Sequence, residues 1–243
     1  MKILSWNILA NEFIKERYYP MIPEDILFNR QKRQERIMVT LKQADADVIL
    51  LQEVMQSEYN LLHNVFHTTY HLTKGKYIQW LKNKRSYSGN VILLRKSMFS
   101  PVEHSIDLDF GLAIQCHLKH SEIPILLMNV HLDDVSAKKR LQQIKEIEPL
   151  LVSNRHIILG GDFNEHYTSK ARLYSLIKDY FLTSYNDQPT YYIERKLSID
   201  HIMLKGFETH KKTCKVINQF GNAILDQFTH YGSDHLPVLV TVS

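Results

Sequence analysis

Cysteine is scarce in this chain of 243 residues: there are two, Cys116 and Cys214, and neither belongs to a C-x-x-C pair. This excludes a disulfide framework and a structural zinc knuckle, so we expect two reduced thiols that pack as small apolar side chains. Glycine and proline are also few, at 8 and 7. Without a linker-like tract or a fixed-period repeat, the chain is expected to form a single domain over residues 1–243.

Long apolar runs are absent as well. The chain turns polar within a few residues of Met1, and no run approaches the roughly 18 apolar residues that a membrane span needs. We therefore expect a cytoplasmic protein without a signal peptide or membrane span. The motifs G-x-G-x-x-G, G-x-x-x-x-G-K and G-x-S-x-G are also missing, which removes the main support for a dinucleotide fold, a P-loop or a nucleophile elbow.

The charge is mildly basic, with a formal net charge of +4 and a sequence pI of about 8.9. This balance fits a polyanionic ligand without identifying one. The basic clusters are short, and they lie within residues 31–36, 82–85 and 138–140. Two of them fall in predicted helices, where a solvated face is the simpler interpretation.

Short β-rich runs alternate with helical stretches. The predicted strands are Lys2–Ile8, Asp47–Gln52, Asn90–Arg95, Leu112–Leu118, Ile123–Leu132, His156–Leu159, Ser198–Leu204 and Leu236–Val242, and the predicted helices are Arg30–Gln43, Ser136–Val152 and Ser169–Tyr180. Pro149 is expected to end or kink the second helix. Several strands are apolar on both faces, which indicates covered sheets. The expected fold is α/β (α+β), with two packed, mostly antiparallel or mixed sheets flanked by helices.

Polar residues recur where these apolar strands end. Asn7, Glu53, His131, Asp162, Asn164, Asp200, Asp234 and His235 all lie at such positions. Each alone could be a turn residue, a solvated cap or a core histidine. Together they suit metal-assisted hydrolysis of a phosphoester: carboxylate oxygens for Mg²⁺ or Mn²⁺, an Asp to activate water, and Asn and His to face charge on the phosphate.

Two of these motifs are specific in combination: Gly161-Asp162-Phe163-Asn164 and, later, Ser233-Asp234-His235-Leu236-Pro237. With Trp6-Asn7 and Leu51-Gln52-Glu53, they resemble the endonuclease/exonuclease/phosphatase superfamily, which has the deoxyribonuclease I-like fold. The resemblance covers nearly the whole chain. It implies a four-layered α/β sandwich and a metal-dependent phosphoric ester hydrolase.

The resemblance also implies roles for individual residues. Glu53 would bind the metal ion with support from Asn7, and Asp234 would have a metal or nearby supporting role. Asp162 would deprotonate the attacking water, and Asn164 would bind the phosphate. His131 and His235 would contact phosphate oxygens, and Asp200 would hold His235. Asn90 and Thr190 match two further elements and would bind the substrate. Because strand neighbours face opposite sides, we expect His201 to point away from this site.

The opening segment, from Trp6 to Arg33, resembles the deadenylase/nocturnin/2′-phosphodiesterase branch. The stretch from His131 to Gln143 is more similar to other members, including tyrosyl-DNA phosphodiesterases. We therefore predict a nucleic-acid phosphodiesterase that prefers single-stranded RNA, acting 3′ to 5′, over DNA, with tyrosines 18, 19, 87, 191, 192 and 231 available for base stacking. A small, lipid-headgroup or tyrosyl-DNA phosphoester is the alternative substrate, and a non-catalytic binding module is the alternative of another class. A monomer is expected.

Overall fold

The structure of the chain is a computed structural model. It describes residues 1–75, 88–102, 104–168, 171–180, 183–184, 186–193, 195–221 and 223–243. Tyr87 and the basic stretch Lys82–Arg85, on which two of the sequence predictions fall, lie outside these residues. Within them, no helix combines the length and the apolar character that a membrane crossing requires.

Twelve strands and six α-helices occur in the part of the chain that the structure describes. The strands are β1 Lys2–Asn7, β2 Val48–Met55, β3 Tyr70–Lys74, β4 Ser88–Arg95, β5 His104–Leu108, β6 Gly111–His117, β7 Pro124–His131, β8 Ile157–Asp162, β9 Thr183–Ser184, β10 Asp200–Lys205, β11 Lys212–Val216 and β12 Val238–Val242. The helices are α1 Glu24–Leu27, α2 Arg30–Ala44, α3 Gln56–Phe66, α4 Ala137–Ser153, α5 Arg172–Lys178 and α6 Ile224–His230.

The strands form two six-stranded sheets. The first has the order β11-β12-β1-β2-β4-β3 and the second the order β5-β6-β7-β8-β10-β9. Each sheet contains one parallel pair, β1 with β2 and β7 with β8, among otherwise antiparallel neighbours. Since α2 connects β1 to β2 and α4 connects β7 to β8, both pairs follow the rule that parallel strands need a long crossover.

Three apolar clusters separate four layers. Leu50, Ile92, Leu127 and Ile202 belong to the core between the two sheets. A second cluster packs α2 and α3 on the outer face of the first sheet, and a third packs α4 and α5 on the outer face of the second. The predicted four-layered sandwich with two mixed sheets is therefore confirmed, and the doubly apolar strands are explained by burial on both faces.

Helix α4 agrees with its predicted range of Ser136–Val152 to within one residue at each end. It continues through Pro149 to Ser153, so of the two effects expected of this proline, to end or to kink the helix, the first is wrong. The residues on either side are good helix formers, and Ile147 and Leu151 are fully buried against the second sheet. Packing of this apolar face outweighs the hydrogen bond that proline cannot donate.

Helices α1, α3 and α6 and strands β3, β5, β9 and β11 have no counterpart among the predicted elements. Strand β5 is exposed over most of its length, and β11 alternates between partly buried and exposed residues. Such edge strands carry little apolar signal, because one face and one edge meet water.

Candidate active site

The two parallel strand pairs direct their carboxyl ends to the same edge of the sandwich. In the first sheet, Asn7 is the last residue of β1 and pairs with Gln52, next to Glu53. In the second sheet, His131 ends β7 and pairs with Asp162, which ends β8. The polar residues that the sequence places at separate strand ends therefore meet, because a rigid pair of sheets holds those ends together.

Asn7 connects the carboxylates of the two sheets. Its buried side chain donates through Nδ2 to Oε1 of Glu53 at 2.9 Å and to Oδ2 of Asp162 at 3.1 Å. Its Oδ1 accepts the Leu9 N–H at 3.0 Å, which fixes the amide orientation. One neutral amide thus holds the two carboxyl groups side by side.

A β-bulge aims Glu53 into this space. The pairing of β2 with β4 shifts register between Leu51 and Val54, and Glu53 has a φ of 58°, in the left-handed region that side chains rarely adopt. Oε2 of Glu53 accepts the Ala10 N–H at 2.8 Å. Burial raises the pKa of Glu53, while the nearby His131 and the Asn7 hydrogen bond act in the opposite direction.

Asp162 is buried and fully engaged at the end of β8. Oδ1 accepts the Asn164 N–H at 2.8 Å, and Asn164 itself has a φ of 49°. The Asn164 side chain donates to the Leu132 carbonyl at 3.0 Å, which ties the loop after β8 to the loop after β7. Gly161 permits the close approach of these strands, since a Cβ there would lie 1.9 Å from the Val130 carbonyl oxygen.

Two histidines face the Asp162 carboxylate from different sides. Nε2 of His131 lies 3.7 Å from Oδ2 of Asp162 and 3.9 Å from Oε1 of Glu53. Nε2 of His235 also lies 3.7 Å from Oδ2 of Asp162. Both imidazoles therefore lie close to the Asp162 carboxylate, just beyond hydrogen-bond distance of it.

Asp200 and His235 form the hydrogen-bonded pair that the resemblance implies, 35 residues apart in sequence (235 − 200). Nδ1 of His235 donates to Oδ2 of Asp200 at 2.9 Å, and the buried Thr190 hydroxyl donates to the same oxygen at 2.5 Å. Burial alone would lower the pKa of His235, but the carboxylates of Asp200, Asp162 and Asp234 outweigh it and hold that pKa well above its usual range.

Asp234 is held by Tyr19, one of the tyrosines that the sequence predicts to stack on bases. The Tyr19 hydroxyl donates to Oδ2 of Asp234 at 3.0 Å, and the Tyr19 ring packs edge-on against Phe228. Burial and the Asp234 charge both raise the pKa of Tyr19. Tyr19 and Tyr231 are 5% and 2% exposed, so the prediction that they stack on bases is wrong for these two residues.

The loop that carries Asp234 and His235 is bonded to the end of β1. The Trp6 indole N–H donates to the His235 carbonyl at 2.9 Å, and the Ser233 hydroxyl donates to the Asn7 carbonyl at 2.7 Å. The tryptophan of Trp6-Asn7 therefore has a specific partner in the last motif of the chain.

Arg33 also joins these two segments, although the run of charged residues around it predicts a solvated helix face. This interpretation is wrong, because Arg33 is 2% exposed. Its guanidinium donates to the carbonyls of Gly232 at 2.7 Å, Ile8 at 3.1 Å and Leu9 at 2.6 Å, and to Oδ1 of Asn11. Burial lowers its pKa to about 10. The i, i+4 spacing from Arg33 to Ile37 is the signal that could have placed Arg33 on the buried face of α2.

Asn90 lies deeper, between the two sheets. Its Nδ2 donates to the backbone oxygen of Asn129 at 2.9 Å and to Asn129 Oδ1 at 3.2 Å, and Gln52 donates to the same Oδ1 at 2.7 Å. Asn129 in turn donates to the carbonyls of Leu51 and Val91. The structure thus places Asn90 in a polar network beneath the converging side chains.

His201 points to the other face of the second sheet, as the strand alternation predicts. Its ring lies 5.2 to 5.8 Å from those of Phe163, Tyr167 and Tyr174, and Nε2 lies 3.2 Å from the Ser198 carbonyl oxygen. Burial lowers the pKa of His201 to about 3. It is a neutral core residue.

Oxygen donors dominate the site, which is the ligand chemistry of a hard divalent cation. Within the described residues, Oδ1 of Asp234 and Oδ1 of Asp200 are buried and have no hydrogen-bond partner. Asp162, Asp200 and His235 offer ligand atoms within 4.8 Å of one another. However, Asp200 and His235 are already hydrogen-bonded to each other, so a cation between them would have to break that bond.

Comparisons with known proteins identify the fold and the family of the chain. A comparison with curated protein sequences found no match. Among solved structures, ANGEL2, described as a 2′,3′-cyclic phosphatase, has 19% identity and a TM-score of 0.77 over 98% of this chain and 93% of that chain. A humanized D. rerio TDP2 has 19% identity and a TM-score of 0.69 over 100% and 98%. A mannosyl-6-phosphatase from Bacteroides thetaiotaomicron has 16% identity and a TM-score of 0.71 over 100% and 99%.

These likenesses, at 16–19% identity, establish the fold. Membership of a family is shown by the sequence itself, because residues 4–235 match the family model described as Endonuclease/Exonuclease/phosphatase family. The matched range contains each of the converging side chains from Asn7 to His235. The chain belongs to the endonuclease/exonuclease/phosphatase family and is a phosphoric ester hydrolase.

Proposed function

We propose that the protein is a divalent-metal-dependent phosphodiesterase that hydrolyses nucleic acid, with single-stranded RNA preferred over DNA. The observation that carries the proposal is the junction at Asn7, where carboxylates from both sheets, Glu53 and Asp162, are bridged by one amide and faced by His131 and His235. Such a set offers cation ligands, a proton acceptor and phosphate donors within one opening.

The metal ion is assigned to Glu53, with Asn7 and Asp234 in support. Mg²⁺ or Mn²⁺ fits because the donors are carboxylate oxygens and because one oxygen of Asp234 is buried without a partner in the described structure. When bound, the ion would neutralise charge on the phosphate and polarise the phosphorus–oxygen bonds. Asn7 would keep Glu53 in place by its amide hydrogen bond.

Asp162 is assigned as the group that accepts the proton of the attacking water. Asn164 and Asn7 donate to its two oxygens and so hold the carboxylate in one orientation. The water oxygen bonds to phosphorus, its proton passes to Asp162, and the bond from phosphorus to the leaving oxygen breaks. His131 and His235, each 3.7 Å from Oδ2 of Asp162, would donate to the phosphate oxygens on which charge accumulates.

The remaining predicted residues act through these groups. Thr190 and Asp200 orient His235, since the Thr190 hydroxyl is fully buried and donates to the Asp200 carboxylate. Asn90 supports the ends of the strands from the interior, where its amide is bonded to Asn129. We therefore propose positioning roles for Thr190 and Asn90 in place of the direct substrate contacts that the sequence suggested.

Several features support RNA as the substrate class. The chain is mildly basic, and Tyr18 is 46% exposed beside Tyr19, which reaches the site through Asp234. Tyr191 lies partly buried against His235, with ring centroids 5.0 Å apart. Exposed aromatic side chains at the opening favour unpaired bases. The opening segment's resemblance to the deadenylase branch supports a free 3′ end.

A nucleotide with a 2′,3′-cyclic phosphate is the second candidate substrate. The observation that favours it is the likeness to ANGEL2, which is also described in complex with adenosine-2′,3′-vanadate and matches at 18% identity and a TM-score of 0.76. The same converging residues would serve, because opening the ring also requires an activated water at phosphorus.

Substrate selection can be tested with a panel in the presence of Mg²⁺. It should contain 5′-labelled single-stranded RNA, the matched DNA, RNA ending in a 2′,3′-cyclic phosphate, 5′-tyrosyl DNA and an inositol phosphate. We expect RNA to shorten from its 3′ end. Cleavage of another substrate alone would change the proposed substrate class and leave the metal assignment unchanged. If none of these substrates is hydrolysed, the substrate is a phosphoester outside the panel, and RNA is refuted as the substrate.

The metal assignment has a separate test. Calorimetry with Mg²⁺ and Mn²⁺ should give one binding event in the wild type and a strongly weakened one in Glu53→Gln, because a neutral amide is a poorer ligand. Glu35→Gln, on the exposed face of α2, is the matched control. Equal affinity in wild type and Glu53→Gln would refute the assignment.

We also propose that residues 1–243 form one domain and that the protein is a cytoplasmic monomer. Limited proteolysis would test the single domain, cell fractionation the location, and light scattering the monomer.

A further inference from the structure

One segment of the loop after β1 is attached to the site at both of its ends. We call residues 11–18 the rim segment. Just before it, the Ala10 N–H donates to Glu53 at 2.8 Å, and just after it, the Tyr19 hydroxyl donates to Asp234 at 3.0 Å. The rim segment therefore runs from the proposed metal ligand Glu53 to the loop that carries Asp234 and His235.

The rim segment is held in place from below. Ile14 and Tyr19 are buried in a small apolar cluster with Leu9, Ile22 and Phe228. Two short 3-10 turns, Asn11–Phe13 and Glu16–Tyr18, shape the backbone, and Arg33 donates to the Asn11 side chain. Side chains that point outward from such a segment are presented in defined positions, which lowers the entropic cost of binding.

The outward side chains form a cationic and aromatic group. Tyr18 is 46% exposed, the Arg17 guanidinium carbon lies 4.7 Å from its ring centroid, and Lys15 Nζ lies 5.7 Å from it. Arg17 also donates to the Tyr18 hydroxyl at 2.8 Å. A planar ring and a planar guanidinium packed together are a surface on which an unpaired base stacks, and the cations suit a neighbouring phosphate.

Glu12 and Glu16 lie on the same two turns as Lys15 and Arg17, so the rim segment carries no net charge (2 − 2). Attraction to any polyanion is therefore weak, and stacking must supply most of the selectivity. In this respect the rim segment differs from a basic surface, which would bind a nucleic-acid duplex through its phosphates.

We propose that the rim segment binds the nucleotide next to the scissile phosphate of single-stranded RNA, with the base against the Tyr18–Arg17 pair and Lys15 near the backbone phosphate. The proposal rests on the proposed function, because it needs a nucleic-acid substrate at the site. It adds a specificity determinant outside the family motifs: a base is required at that position, and its identity matters little.

The test measures binding of a fluorescent single-stranded oligoribonucleotide by anisotropy, with Mg²⁺ present and in an Asp162→Asn background that prevents cleavage. Tyr18→Ala should weaken binding roughly 10-fold, the scale of one stacked base, and Tyr18→Phe should retain most of it. The protein with Tyr18 should bind an oligomer with abasic sites more weakly than the intact oligomer. Tyr18→Ala should bind the two oligomers with equal affinity. Arg17→Ala should reduce the salt dependence of binding by about one counterion.

Phe220→Ala is the matched control, because Phe220 is 49% exposed and lies outside the rim segment. Unchanged RNA binding by Tyr18→Ala while the parent binds normally would overturn the rim assignment and leave the proposed function standing. Failure of the parent protein to bind any single-stranded RNA would overturn both. An equal loss in Tyr18→Ala and Phe220→Ala would also overturn the rim assignment, and thermal melts show whether each variant is folded.

Discussion

Two histidines in this chain are almost completely buried, and their surroundings give them opposite charge states. His235 faces Asp200 and Asp162, and its pKa is held well above the usual range. His201 lies among Phe163, Tyr167 and Tyr174, and its pKa falls to about 3. Asp200 and His201 are adjacent in β10, so one strand separates the two environments by a single residue.

The comparison shows that burial by itself does not identify a functional histidine. Burial disfavours the charged form of both rings, and only the carboxylates around His235 reverse that effect. The polar pocket can hold a proton against a phosphate, whereas the aromatic pocket keeps a neutral ring as part of the core. The predictions below test whether these two pockets are as different in function as they are in charge.

The largest expected effect comes from removing the two histidines in turn. His235→Ala should lower kcat on the preferred substrate by roughly 10²-fold or more, the scale of losing a charged contact to the transition state. His201→Phe should retain most of the activity, because phenylalanine fits the aromatic pocket and His201 faces away from the site. Equal losses of kcat in the two variants, measured by steady-state kinetics, would show that the two pockets do not differ in function.

A smaller effect is expected from the groups that hold His235. Asp200→Asn keeps the shape of the side chain but removes its charge, so kcat should fall by roughly 10- to 100-fold. Thr190→Val removes one hydrogen bond to the same carboxylate and should cost about fivefold. A Thr190→Val loss as large as that of Asp200→Asn would show that the hydroxyl, and not the charge of Asp200, positions His235.

Parts of both the aromatic and the polar pocket could be predicted from the sequence. Gly161-Asp162-Phe163-Asn164 and Ser233-Asp234-His235 were informative because their spacing is specific, and strand alternation was enough to separate His201 from Asp200. The apolar strands predicted two covered sheets for the same reason: residues buried on both faces leave a continuous pattern.

Other parts of the site left no local signal. The bulge that gives Glu53 its positive φ depends on the pairing of β2 with β4, and the contact between Tyr19 and Asp234 joins residues 215 positions apart. Arg33 sits in a run of charged residues, and its burial follows from the loops that pack over it. Long-range geometry of this kind is set by the assembled sheets, so short windows of sequence do not contain it.

Arg33 is a third buried group to set beside His235 and His201, since it is a buried cation that is bonded mainly to carbonyls. Arg33→Lys should lower kcat by roughly 10-fold with little change in KM, because a lysine cannot reach Ile8, Leu9 and Gly232 at once and the two catalytic loops would shift. Arg36→Lys is the control on the same helix, where Arg36 donates to the Phe228 carbonyl. A matching loss in both variants would assign the effect to α2 as a whole.

The smallest expected effect on activity, and a distinct effect on stability, belongs to the aromatic pocket. With a folded pKa of about 3 against about 6.5 in the unfolded chain, His201 is neutral in the folded state between these values while the unfolded state takes up a proton. The free energy of unfolding should therefore fall as the pH drops below 6.5, by about 1.4 kcal/mol per pH unit, and the effect should level off near pH 3. Above pH 6.5 this pH dependence of the free energy of unfolding should vanish.

Urea unfolding of the wild type and of His201→Phe from pH 8 to 4 measures this pH dependence. The difference in the free energy of unfolding between the two proteins removes the contributions of the other histidines. If that difference stays constant across the range, His201 is not held neutral by its pocket, and the contrast with His235 is lost.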